Sequence, residues 1–202
     1  MKTVFDMESA DVMVKSKWGI DASHSEVGFK VKHHLITNVH GVFREFDASI
    51  YTIAEDFMTV EIDFWLNPAS VDSGDAKRDE HLKGAEFFDV ENYKQITFIG
   101  NTYEKTDKEG TFKLYGDLTM KGISKQIKLD VEFGGVVNDQ WGTQKAGFTI
   151  NGKLNRKDWG LEWNTSLESG SAMVGEEISI NCEIQLIKQE PKHINRISDL
   201  NN

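Results

Sequence analysis

The sequence predicts an all-β protein: one antiparallel barrel of about eight strands, with a short helix near 75–83. Three observations carry that expectation. First, apolar and polar residues alternate over long runs. Residues 58–66 set Met58, Val60, Ile62, Phe64 and Leu66 against Thr59, Glu61 and Asp63. Residues 123–133 set Ile123, Ile127, Leu129, Val131 and Phe133 against Gln126, Lys128, Asp130 and Glu132. Residues 174–186 set Val174, Ile178, Ile180, Cys182, Ile184 and Leu186 against Glu177, Ser179, Asn181, Glu183 and Gln185. Successive strand side chains point to opposite faces, so each run has one dry face and one wet face. Second, none of these runs is continuously apolar, as parallel strands covered on both sides would be, so the sheet is antiparallel. Third, one charged segment at 72–84 lacks the alternation. A long one-sided sheet must cover its dry face, and closing into a barrel does so while removing its edges. The dry face then becomes a lumen, a place for an apolar molecule.

In chain order, a short strand is expected at 18–20, followed by strands at 26–32, 39–53 and 58–67. The segment DSGDAKRDEHLKG then interrupts the pattern. Asp72 or Asp75 can cap a helix start and Gly84 can end it, which gives a helix at about 75–83 and a turn near 86–88. Arg78 and His81, three apart, share a face of that helix. Strands follow at 95–104, 111–120, 123–133, 143–154 and 173–187. Lys121-Gly122 and Asp107-Lys108-Glu109-Gly110 make tight turns. Gly116 and Gly152 stand in rows that are otherwise apolar, where they would leave lumen space that larger residues would fill.

The chain of 202 residues suits one domain. We divide it into an N-terminal arm at 1–17, the barrel at 18–188 and a polar tail at 189–202. The formal net charge of −10 opposes binding to nucleic acid or to anionic membranes. No stretch reaches the roughly 20 apolar residues that span a bilayer, so stable membrane insertion is not expected. The single cysteine, Cys182, excludes an intrachain disulfide and lies in an apolar row as a small core residue. Asp6, Glu8 and Asp11 interrupt any signal-peptide core, so the chain as given is expected in the cytoplasm, or in the periplasm if a signal was removed.

Several segments together resemble one family. Residues 18–33, WGIDASHSEVGFKVKH, are similar to the opening signature of the YceI-like, polyisoprenoid-binding proteins. Gly41-Val-Phe43-Arg-Glu-Phe46, Arg78-Asp79-Glu-His81-Leu82 and Phe87-Phe88-Asp89 follow in the family's order. So do Gly116-Asp-Leu118-Thr119-Met120-Lys-Gly122, Leu154-Asn155-Arg156-Lys-Asp158-Trp159-Gly160 and Val174-Gly175-Glu-Glu-Ile178. The resemblance covers about 18–187. It implies a lipocalin-like barrel that holds a long isoprenoid chain, as a carrier or store of a polyprenyl quinone precursor or a prenyl phosphate. At ~0.3 kcal/mol per heavy atom, a tail of roughly 40 carbons would gain about 12 kcal/mol and need no polar anchor. The global acidity mildly favours a neutral head group.

The expected lumen residues are Phe29, Phe43, Phe64, Phe98, Phe112, Gly116, Ile127, Leu129, Phe133, Phe148, Gly152, Ile178 and Ile180. In a barrel with a cavity, core packing and ligand lining are the same surface. Among the basic residues, His33, Arg78 and His81 are candidate head-group contacts, while Lys30 and Lys32 fall on a wet face. Arg78 and His81 would otherwise join a buried network with Asp21 or Asp79. His33 and His34 are adjacent and are expected on opposite faces. No zinc-type spacing occurs, so no metal and no other cofactor is expected. His24-Ser25 is not set in a nucleophile elbow and reads as a hydrogen-bonded turn. No converged acid, base or nucleophile is visible, which points to binding and not to catalysis. An enzyme acting on the same lipids, and a stress-related interaction module, are the alternatives. A homodimer is the expected assembly on general grounds.

Overall fold

The structure, a computed structural model, describes residues 15–34, 36–164 and 173–189, with Asn101 by its backbone alone. The expected N-terminal arm and C-terminal tail lie outside these residues, apart from 15–17 and Gln189. Residues 15–17 belong to the first strand. The elements are β1 (Lys15–Ile20), β2 (Glu26–His33), β3 (Thr37–Phe43), β4 (Phe46–Ile53), β5 (Asp56–Leu66), β6 (Val71–Asp72), α1 (Ala76–Lys83), β7 (Ile96–Lys105), β8 (Thr111–Met120), β9 (Ile123–Asn138), β10 (Gln144–Asn155) and β11 (Val174–Gln189).

The sheet runs β1-β4-β5-β7-β8-β9-β10-β11, and β11 returns to β1, so an eight-stranded antiparallel barrel closes. The other edge segments are continuations of these strands. β11 pairs β1 through Ile20↔Leu186 and β2 through Val27↔Cys182, so β1 and β2 are halves of one strand broken at 21–25. β3 and β4 are halves of the next, and β5 and β6 of the third.

The expected strand at 39–53 is therefore two strands. Its buried residues are Gly41 and Phe43 on odd positions, then Ala48, Ile50 and Thr52 on even ones. A strand has period 2, so a change of parity requires a break, and Arg44-Glu45 supplies it. The three breaks lie side by side. Arg44 N donates to Ser70 O at 3.2 Å, and Asn67 N to Glu45 O at 2.9 Å. Above this seam the sheet closes into the ring. Below it β6 pairs with β3 alone among the described residues, and α1 packs beside β6.

The upper core is aromatic. Trp18 is fully buried, and its Nε1 donates to Thr52 Oγ1 at 3.1 Å. Phe57 stands 5.0 Å from Trp18, 5.4 Å from Phe133 and 5.1 Å from Phe148 between ring centres. Burying each such side chain is worth about 1.5–3 kcal/mol, and ring pairs at these distances add to that. α1 starts where Asp75 Oδ1 accepts from Lys77 N (3.0 Å) and Arg78 N (3.1 Å), satisfying two donors of the first turn. It ends at Gly84.

Candidate functional site

Below the aromatic plug the barrel encloses a cavity of about 580 Å³. Its walls come from the inward rows of the strands. Phe29, Phe43, Phe64, Phe98, Ile127, Leu129, Ile178 and Ile180 all line it, joined by Ile150, Leu154, Cys182 and Ile184. The charged side chains of the lining are Lys32, Asp75, Lys77, Arg78 and Arg156, together with His33 and His81. They come from the end of β2, from α1 and from the end of β10. These elements form one end of the lumen, which is the mouth.

Five expected lumen residues are not in the lining, and packing explains each. Phe133 and Phe148 stand 5.2 Å apart in the upper plug. Phe112 packs on Tyr103 at 5.6 Å. Gly116 and Gly152 leave no empty space. A Cβ on Gly116 would lie 2.4 Å from Ile99 O and 2.5 Å from Phe98 Cζ, and one on Gly152 would lie 2.5 Å from Leu129 Cδ2. These glycines admit the neighbouring side chains, so their missing bulk is already filled.

At the mouth, Arg78 Nε donates to Ser73 Oγ and its Nη2 to Ser73 O, both at 2.7 Å. Asp79 Oδ1 accepts from Ser73 N at 2.9 Å, so Arg78 and Asp79 share Ser73. Asp21 stands elsewhere. His81 Nε2 meets Glu86 Oε2 at 2.9 Å, and its ring lies 4.6 Å from Trp163 and 5.0 Å from Phe87. The expected separation of His33 and His34 is corrected. His34 has left the strand with φ 50°, and its ring stacks on His33 at 4.0 Å. Burial first, then the nearby His34 and Arg78, push the His33 pKa below its ordinary value, which favours the neutral ring. Arg44 is turned outward onto Asp72 at 2.8 Å.

The His24 region is a turn. Asp21 Oδ2 and Ser23 Oγ both meet His24 Nδ1, at 2.9 and 3.0 Å. A hydrolytic triad needs the serine and the carboxylate on different ring nitrogens, so this cluster is a cap and not a nucleophilic site. Hydrogen bonds from Ser23, His24 and Gln185 hold the Asp21 carboxyl down to about 2. Among the described residues, no three His, Cys, Asp or Glu side chains come together as metal ligands. The Cys182 thiol faces the lumen, and burial pushes its pKa up to about 11.

One lining residue escaped the sequence reading. Arg156 was noted as part of a motif without a role, yet it is 2 % exposed and lines the mouth. The signal was parity: Phe148, Ile150, Gly152 and Leu154 form the inward row of β10, and residue 156 continues it.

A YceI-like domain model matches residues 18–186. A UPF0312 protein of Staphylococcus aureus strain MSSA476 is 32% identical over 166 residues, covering 82% of this chain and 94% of that protein. The crystal structure of the Campylobacter jejuni YCEI protein is similar at 36% identity and a TM-score of 0.65, over 84% of this chain and 96% of that one. Burkholderia cenocepacia BcnA shares the fold at 19% identity, with a TM-score of 0.70 over 82% of this chain and 98% of that one. A polyisoprenoid binding domain from Saccharophagus degradans shares it at 12% identity, with a TM-score of 0.59 over 85% and 98%.

Proposed function

We propose that this chain, which belongs to the YceI-like family, holds a long apolar isoprenoid-type lipid in its barrel lumen, as a carrier or store. The observation that carries this reading is the lumen cavity of about 580 Å³, whose walls beyond the mouth are apolar. Lumens of ~300–1,000 Å³ with apolar walls and a few polar groups are the usual form of a small-molecule site. The polyisoprenoid-binding description of the Saccharophagus degradans relative supports the ligand class.

At ~0.3 kcal/mol per atom, a tail of roughly 20 atoms gains about 6 kcal/mol, a Kd of tens of micromolar. That is half of what a tail of roughly 40 carbons would gain, and it leaves work for the head group. The reading is of binding without catalysis and without a metal. A homodimer is proposed on general grounds alone, and sedimentation velocity decides it.

Native mass spectrometry after mild purification tests the proposal. We expect an added mass of a few hundred daltons that organic extraction removes. Folded protein that carries no such mass and takes up no fluorescent prenyl probe overturns it.

A further inference from the structure

We infer that Arg156 is the polar anchor of the bound lipid, and that the head it holds is anionic, with a phosphate or carboxylate oxygen accepting from Nη2. This deepens the lumen reading above and rests on it.

The Arg156 side chain is 2 % exposed and belongs to the cavity lining. Its Nε donates to Gly175 O at 2.9 Å, and its Nη1 donates to Leu161 O. Both acceptors are neutral carbonyls, and they aim the planar fork from two sides. Nη2 is buried and has no acceptor among the described residues. No carboxylate among them forms an ion pair with Arg156. The neighbouring Glu176 is taken by Lys157 Nζ at 2.5 Å. A guanidinium stays charged at any ordinary pH, so the cation sits largely out of water, with Glu176 acting on it only through space and no carboxylate among the described residues bonded to it. A buried cation of this kind is costly unless an anion completes it. Arg156 lines the lumen, so an anion held there is placed to complete Nη2.

The surroundings agree on the sign. The chain as a whole carries a net charge of −10. At the mouth the charged lining is Lys32, Lys77, Arg78 and Arg156 against Asp75, and Asp75 is already engaged in capping α1. The field that an entering head group meets is therefore positive, which reverses the expectation drawn from global charge. A tail of roughly 20 atoms is weakly held, so a charge-assisted hydrogen bond in this site raises affinity where it is needed.

The test is a displacement titration of a fluorescent long-chain fatty-acid probe with chain-matched ligands: geranylgeranyl phosphate against geranylgeraniol, and a C20 carboxylic acid against its alcohol. On the unmodified protein we expect at least one anion to bind tenfold or more tighter than its alcohol. Preference within the phosphate pair or within the carboxylate pair tells which source of the anion the site takes. In Arg156→Met the preference should fall to within about threefold while alcohol affinity holds. If that variant does not fold, Arg156→Lys serves in its place, with a loss of preference of at least threefold. Arg78→Gln should keep most of it. Equal binding of anions and alcohols to the unmodified protein overturns the anchor and leaves the lumen reading intact. A preference that survives folded Arg156→Met or Arg156→Lys, or that follows Arg78→Gln instead, also overturns it. Binding of none of the four ligands overturns both readings.

Discussion

Replacing Cys182 with phenylalanine should narrow the lumen without loosening the barrel. Cys182 sits in the inward row of β11, between Ile180 and Ile184, and lines the cavity. Phenylalanine adds about five heavy atoms there, which exclude about as many ligand atoms. At ~0.3 kcal/mol per atom, the tail loses about 1.5 kcal/mol, or slightly more than tenfold in affinity. The added ring enters space and not packed atoms, so melting should fall by no more than ~2–4 °C. Gly116→Ala is the opposite perturbation. Its Cβ would meet Ile99 O at 2.4 Å and Phe98 Cζ at 2.5 Å, and although Phe98 lines the cavity, Gly116 itself does not. Overpacking of that kind costs ~1–3 kcal/mol, so this variant should melt roughly 2–12 °C lower and still bind the probe. The assay is probe affinity beside differential scanning fluorimetry for both variants. If Cys182→Phe melts as low as Gly116→Ala and binds the probe unchanged, Cys182 faces packed core and the lumen has been placed wrongly.

Two further outcomes follow from the titratable groups. The Asp21 carboxyl is held at about 2 against an ordinary 3.8, with a side chain only 11% exposed. A depressed carboxylate pKa contributes stability that is full above the unfolded value and is lost as pH falls through the folded one. Asp21→Asn should therefore cost roughly 2 kcal/mol at pH 7, and the difference from the unmodified protein should shrink between pH 4 and pH 2 in urea titrations. A difference that stays constant over that window refutes the network. The Cys182 thiol, pushed up to about 11, should react with a small disulfide reagent about tenfold faster per pH unit through pH 9 and 10. A rate that levels off near pH 8.5 refutes the buried assignment.

The barrel was legible in the sequence because alternation in β5, β9 and β11 fixes both strand type and facing. α1 was legible because Asp75 and Gly84 bracket a segment with no such alternation. The break in the third strand was present in the sequence as a change of parity between Phe43 and Phe46, but an apolar-rich run disguised it. The lining was harder to read. Phe133 and Ile180 belong to equally clean rows, yet one plugs the barrel and the other faces the cavity. Height along the axis separates them, and height depends on strand stagger, which alternation does not encode. The two glycines misled for a related reason: their neighbours across the sheet decide whether missing bulk is space or a berth for a ring. Arg156 was missed because arginine is read as a surface residue by default, although its position in the inward row marked it.

The seam across the first three strands divides the molecule's obligations. Above it, Trp18, Phe57, Phe133 and Phe148 lock the closed ring. Below it, β2, β3, β6 and α1 form a sleeve around the mouth of the cavity, which reaches up between Ile50, Ile62 and Phe64. A chain so divided can reshape the mouth of its cavity by altering the sleeve, while the ring keeps the polypeptide folded. Variation in the one need not be ransomed by repair in the other, and this gives a small barrel freedom to acquire new ligands in single substitutions.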